Sequence, residues 1–94
     1  MHIFYKSAFR RFVKKQLRPF QLAIEDETEK ISKIPEIVES KKGDLAGFRV
    51  HKFTFQKQQY LIAYKMGDKN LTFYMMDAHG NFYRELKRYI KEVE

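Results

Sequence analysis

The chain has 94 residues, 44% of them hydrophobic and 16% aromatic. That is too apolar for a disordered chain, and enough for one domain, residues 1–94, burying about 60–65% of its unfolded surface. Cysteine is absent, which excludes a disulfide framework and a thiolate metal site. The formal net charge of +7 favours a polyanion or an acidic protein as partner.

The charge is unevenly spread. Residues 25–44 hold seven of the twelve acidic side chains against four lysines, a net of −3, so all of the positive excess lies elsewhere. His2, His51 and His79 are far apart in sequence, and neither a metal site nor a cofactor is expected. No stretch approaches the ~20 apolar residues of a membrane span. The opening MHIFYKSAFRRF lacks the apolar centre of a signal peptide, so a cytoplasmic protein is expected.

His2-Ile3-Phe4-Tyr5 reads as a short strand. From Ser7, a plausible N-cap, the period becomes helical: Phe9, Phe12, Val13 and Leu17 on one side, Arg10, Arg11, Lys14 and Lys15 on the other. Pro19 suits the first position of a second helix. Its apolar stripe runs through Phe20, Ala23, Ile24, Ile31 and Ile34, and Pro35 ends it. Two helices so closely linked should pack as a hairpin.

Residues 36–47 read as a loop, and residues 48–55 as a strand. Phe48 and Val50 share one parity; Phe53 and Phe55 share the other. A straight strand cannot bury both sets on one face. A bulge near His51-Lys52 would reconcile them, and so would a sheet covered on both faces. Residues 56–59 read as a hairpin loop, Tyr60-Leu61-Ile62-Ala63-Tyr64 as a central strand, and Gly67-Asp68-Lys69-Asn70 as another turn. A third strand of this meander spans Leu71–Met76. Phe82, Tyr83, Leu86, Tyr89, Ile90 and Val93 then give a helical stripe beside Arg84, Lys87, Arg88 and Lys91. The order β-α-α-β-β-β-α predicts an α+β fold: a small antiparallel sheet with a helical hairpin on one face, a C-terminal helix, and an open face for a site.

Three stretches resemble the RelE/ParE toxin superfamily of bacterial type II toxin–antitoxin systems, whose element order fits nearly the whole chain. Leu45-Ala46-Gly47-Phe48-Arg49-Val50-His51-Lys52-Phe53 is similar to the family's leucine-x-glycine-aromatic approach to the second strand. Tyr60-Leu61-Ile62-Ala63-Tyr64 looks like its third strand. Asp77-Ala78-His79-Gly80-Asn81-Phe82-Tyr83-Arg84 looks like its histidine-x-x-aromatic-tyrosine-arginine ending. The chain departs at Leu61, where many RNA-cleaving members carry arginine. The resemblance implies a RelE-like microbial RNase fold and neutralisation by a cognate antitoxin. It also implies one of two activities: messenger RNA cleavage in the ribosomal A site, or poisoning of DNA gyrase. A degenerate toxin that only binds antitoxin or RNA is the third possibility, and Leu61 favours it.

Metal-free RNA cleavage needs a base for the 2′-hydroxyl, an acid for the leaving 5′-oxygen, and cations for the phosphoryl oxygens. Histidine suits either proton role. The expected site takes His79 as the principal proton-transfer residue and His51 as a second acid/base. Arg49 and Lys52 are expected to hold phosphate, and Tyr83 to stack or assist. Lys42, Arg84, Lys87 and Arg88 are expected to add RNA affinity. Each also has a plainer reading: His79 as a turn residue bonded to helix N–H groups, His51 as an exposed strand residue, Tyr83 as core. Together with the resemblance, these residues predict an endoribonuclease that cuts messenger RNA at the ribosomal A site, with antitoxin, messenger RNA and ribosome as the implied partners.

Overall fold

The structure, a computed structural model, describes residues 1–93. The Val93 side chain of the expected helical stripe lies outside what is described. The elements are β1 (His2–Tyr5), α1 (Ser7–Lys14), α2 (Arg18–Lys33), β2 (Arg49–Phe55), β3 (Gln58–Met66), β4 (Asn70–Ala78) and α3 (His79–Val93). Short 3-10 turns at Pro35–Ile37 and Gly43–Leu45 punctuate the long connection from α2 to β2. The α+β class and the expected order hold.

The sheet order is β1-β4-β3-β2. β2, β3 and β4 form the expected antiparallel meander. β1, however, pairs parallel with β4, His2 opposite Asn70 and Tyr5 opposite Phe73, so the sheet is mixed. The hairpin between α1 and α2 carries the chain back over the sheet, and such a crossover returns a strand parallel.

The helices do not share a face. Phe9 of α1 and Phe20, Ile24 and Ile31 of α2 pack on Ile62 and Tyr64 of β3 and on Leu71, Phe73 and Met76 of β4. Phe82 and Leu86 of α3 pack on the opposite face, against Phe48, Val50, Leu61, Ala63 and Met75. Covering on both sides explains why residues 60–64 are continuously apolar. It also resolves the parity conflict in β2. The strand pairs with β3 without interruption from Arg49 opposite Tyr64 to Phe55 opposite Gln58. Val50 therefore meets the α3 side, while Phe53 and Phe55 meet the helical hairpin.

Of the two alternatives for β2, the sheet covered on both faces holds and the bulge near His51-Lys52 is absent; the irregularity lies in β4. Ala63 pairs with Met75 but Tyr64 pairs with Phe73, which leaves Tyr74 as the extra residue. The bulge places Tyr74 and Met75 together on the α3 side and returns Met76 to the hairpin side.

Ser7 is the first helical residue rather than the N-cap. Lys6 occupies that position without a side-chain cap, and its N–H donates to the Phe73 carbonyl. Pro19 is the second residue of α2, a position whose N–H needs no partner within the helix. The β2–β3 connection tightens to Gln56-Lys57, both with positive φ, the backbone of a two-residue hairpin turn. Tyr64 is fully buried and its hydroxyl donates to the Pro35 carbonyl at 2.7 Å, tying β3 to the 3-10 turn that follows α2. Burial raises its phenol pKa above the ordinary value.

Candidate functional site

Arg49 and His51 both point toward the helical hairpin. They alternate with Val50, which lies on the α3 side, and they pair across with Tyr64 and Ile62, which pack under the hairpin. The Arg49 guanidinium donates to the Val38 carbonyl and so holds the segment after α2. His51 Nε2 lies 2.7 Å from Glu27 Oε1 of α2. The two side chains are only 12% and 15% exposed, and Phe53 lies beside the imidazole at 6.5 Å. The Lys30 ammonium reaches the second Glu27 oxygen at 3.0 Å.

Burial alone would raise the Glu27 carboxyl pKa. The hydrogen bonds from His51 and Lys30 outweigh it and set the pKa below the ordinary value of 4.5. A depressed carboxylate adds stability that is present above its unfolded pKa and lost as pH falls through its folded one. Thermal unfolding of the wild type should therefore lose stability on acidification below about pH 4.5. Glu27→Gln should flatten that acid limb. An unchanged acid limb in the variant would remove the dyad as its source.

Lys52 faces the other way. It pairs with Leu61 and, through it, with Asp77, in one row on the α3 side. Leu61, at the family's arginine position, is fully buried there and forms part of the packing under α3. The cationic wall expected from positions 49, 52 and 79 is thus divided by the sheet: Arg49 with His51 below, Lys52 above. His79 opens α3 directly from β4 and is exposed. Tyr83 is half-buried against the α3-side core, with the Phe82 ring edge-on at 5.1 Å and the Lys41 ammonium 5.6 Å from its ring centre. Arg84 bonds Asn81, and Arg88 takes both Glu85 oxygens, at 2.7 and 2.9 Å. Lys42 and Lys87 are exposed.

What the fold does gather on the α3 side is a set of lysine ammonium groups over aromatic rings that are themselves buried. Phe48 and Tyr74 meet edge to face at 4.9 Å. The Lys65 ammonium stands 4.5 Å from the Phe48 ring centre, and that of Lys6 lies 5.4 Å from Tyr74. Lys6, Lys41 and Lys65 were missed in the sequence. Parity was the available signal for Lys65, since it continues the Leu61 and Ala63 face. Lys41 approaches Tyr83 only through the path of the loop.

The basic stripe of α1 is also divided. Arg11 and Lys15 line a cleft of about 410 Å³ against Arg88, Tyr89, Asp77 and Glu85, between α1 and α3. Arg10 and Lys14 border a second cleft, between α1 and α2. Among the described residues, no group of three or more His, Asp or Glu side chains is placed to hold a metal ion. No described helix is long and apolar enough to cross a membrane.

The family model for the ParE-like toxin of type II bacterial toxin–antitoxin systems matches residues 3–87. No curated protein matches the chain.

Proposed function

Because the chain belongs to the ParE-like toxin family of type II bacterial toxin–antitoxin systems, we propose that it arrests growth by gripping its target rather than by cutting RNA. The grip is the lysine-lined surface on the α3 side, and the target is DNA gyrase, as for ParE-like poisons. One observation carries this reading: Arg49 and His51 are spent on Val38 and Glu27, on the face away from Lys52. Proton transfer with phosphate binding needs those groups on one wall. A contact poison needs only complementary surface, and a positive face suits a DNA-bound enzyme. The toxin is paired with a cognate antitoxin and acts in the cytoplasm.

A second reading rests on a different observation. His79 and Tyr83 belong to α3, and Lys52 faces the same side of the sheet. In that reading messenger RNA is cleaved in the ribosomal A site. His79 moves the proton, Lys52 holds phosphate, and Tyr83 stacks on a base, with Lys42, Arg84, Lys87 and Arg88 along the backbone.

One experiment separates them. Purified protein is assayed for gyrase supercoiling and for ribosome-dependent messenger RNA cleavage, as wild type, His79→Ala and Lys41→Glu/Lys87→Glu. The gyrase reading expects inhibited supercoiling, unaffected by His79→Ala and weakened about tenfold or more by the charge reversals. Cleaved messenger RNA with normal supercoiling, and a loss of roughly 100-fold or more with His79→Ala, overturns it in favour of the nuclease. Expression without antitoxin that leaves growth unaffected overturns both.

A further inference from the structure

The first 24 residues hold six cations, Lys6, Arg10, Arg11, Lys14, Lys15 and Arg18, and no acid, so this stretch supplies most of the net charge of +7. Within it, α1 sorts its side chains sharply. Phe9, Phe12 and Val13 pack into the hairpin-side core, and Ala8 packs against the α3-side core. The positions left exposed from the start of α1 to its C-cap are Ser7, Arg10, Arg11, Lys14 and Lys15. Apart from one serine, the outer face of the helix is wholly cationic.

The rest of the molecule does not neutralise that face. Among the described residues, Arg10, Arg11, Lys14 and Lys15 have no ion pair. The acids that border the two flanking clefts are engaged elsewhere or stand apart. Glu25 faces Arg18 at 3.5 Å, Glu85 takes Arg88, and Asp77 accepts the Ala78 N–H. Glu92 is exposed and makes no ion pair with α1. Arg10 with Lys14, and Arg11 with Lys15, are like charges one turn apart, a spacing that weakens a helix. In a helix of only eight residues, that repulsion stands unrelieved until a counter-charge arrives from outside.

The layout fits one kind of polyanion. Adjacent helical positions lie about 100° apart around the axis, so the two rows run along opposite flanks of a ridge, each about 6 Å long. A helix with its side chains is about 10–12 Å across, and the major groove of DNA is about 12 Å wide. Cations on both flanks of such a ridge meet phosphates of both strands. Single strands are held differently, by bases stacked on exposed rings. The face of α1 offers none: Phe9 is buried, and Phe12 packs edge-on against Phe20 and Tyr60.

We propose that α1 is a contact for duplex DNA. It binds the phosphate backbone without sequence preference, Arg10 and Lys14 on one strand, Arg11 and Lys15 on the other. The inference rests on the gyrase reading for where the DNA is met: the toxin engages the enzyme together with the duplex it carries, α1 on the DNA and the α3 side on the protein.

The test uses the full-length protein without gyrase. Fluorescence anisotropy follows binding to labelled duplexes of about 20 base pairs, in two unrelated sequences, and to single-stranded RNA of the same length, over a salt series. The wild type should bind both duplexes alike, with log affinity falling against log salt at a slope of about −3.6, the value for four phosphates. Arg10→Gln/Lys14→Gln and Arg11→Gln/Lys15→Gln should each halve that slope and weaken binding about tenfold or more at low salt. Their thermal midpoints should equal or exceed that of the wild type, since like charges are removed. Lys33→Gln/Lys69→Gln takes the same charge from the end of α2 and from the β3–β4 turn, and should leave the slope unchanged. An equal loss in that control assigns the binding to net charge and overturns the proposal. Tighter binding of the RNA than of either duplex overturns it in favour of a single-stranded partner. No duplex binding at micromolar concentration and low salt also overturns it, and inhibited supercoiling would then leave the gyrase reading standing. Duplex binding lost in the α1 variants, beside normal supercoiling, strikes the gyrase reading and upholds the DNA contact.

Discussion

Phe82→Ala is expected to lower the unfolding free energy by about 3–5 kcal/mol. Phe82 is fully buried where α3 meets the sheet, among Leu61, Ala63, Met75 and Leu86. Around it stand β3 and β4, which cannot collapse into the void, so the cavity cost adds to the lost transfer energy. Small domains have only about 5–15 kcal/mol in total, so the variant should sit close to its folding threshold. Denaturant unfolding measures the loss directly. A change below about 1 kcal/mol would mean that α3 does not dock on the sheet through this residue. Tyr83, Arg84, Lys87 and Arg88 all ride on that helix, so target inhibition should fall in step with the folded fraction.

His51→Ala is expected to cost about 2 kcal/mol of stability and to leave the intrinsic activity of the folded protein intact. The variant strips a charge-assisted hydrogen bond of 2.7 Å from a Glu27 side chain only 15% exposed. Glu27 would keep Lys30 at 3.0 Å but lose its link to the sheet. A proton-transfer histidine behaves in the opposite way: its removal costs roughly 100-fold or more in rate, whatever happens to stability. Denaturant midpoints and target inhibition, measured on the same preparation, separate the roles. A large fall in activity per folded molecule with unchanged stability would restore His51 to the chemistry.

Local periodicity made the element order legible. Phe20, Ile24, Thr28 and Ile31 recur at helical spacing and are the buried residues of α2. The apolar run at residues 60–64 marked a central strand because neither face of Leu61, Ile62, Ala63 and Tyr64 meets water. Relations between distant segments were hidden. Nothing within His2–Tyr5 says that its neighbour is Asn70–Phe73, or that the pair runs parallel. Phe73-Tyr74-Met75-Met76 is apolar throughout, so its alternation conceals the bulge at Tyr74. In β2, the parity change suited a bulge or a two-sided sheet equally well, and only the placement of α3 decides between them.

The same limit explains the site. Lys52 and His51 are adjacent in sequence, and a strand sends adjacent side chains to opposite faces. A cluster of basic residues therefore divides as soon as the strand forms. His51 is then captured by an acid 24 residues earlier, a partnership that no local spacing announces.

The parallel alliance of β1 with β4 bears on the order of synthesis. Residues 2–5 leave the ribosome long before the segment they need, residues 70–73. α1 meets the same difficulty, since much of its packing is against β4. Such distant pairings carry a loop-closure cost that local helices avoid. A nascent chain short of β4 has neither the edge partner of β1 nor the strand on which α1 packs, so this layer of the fold closes only after residues 70–73 have emerged.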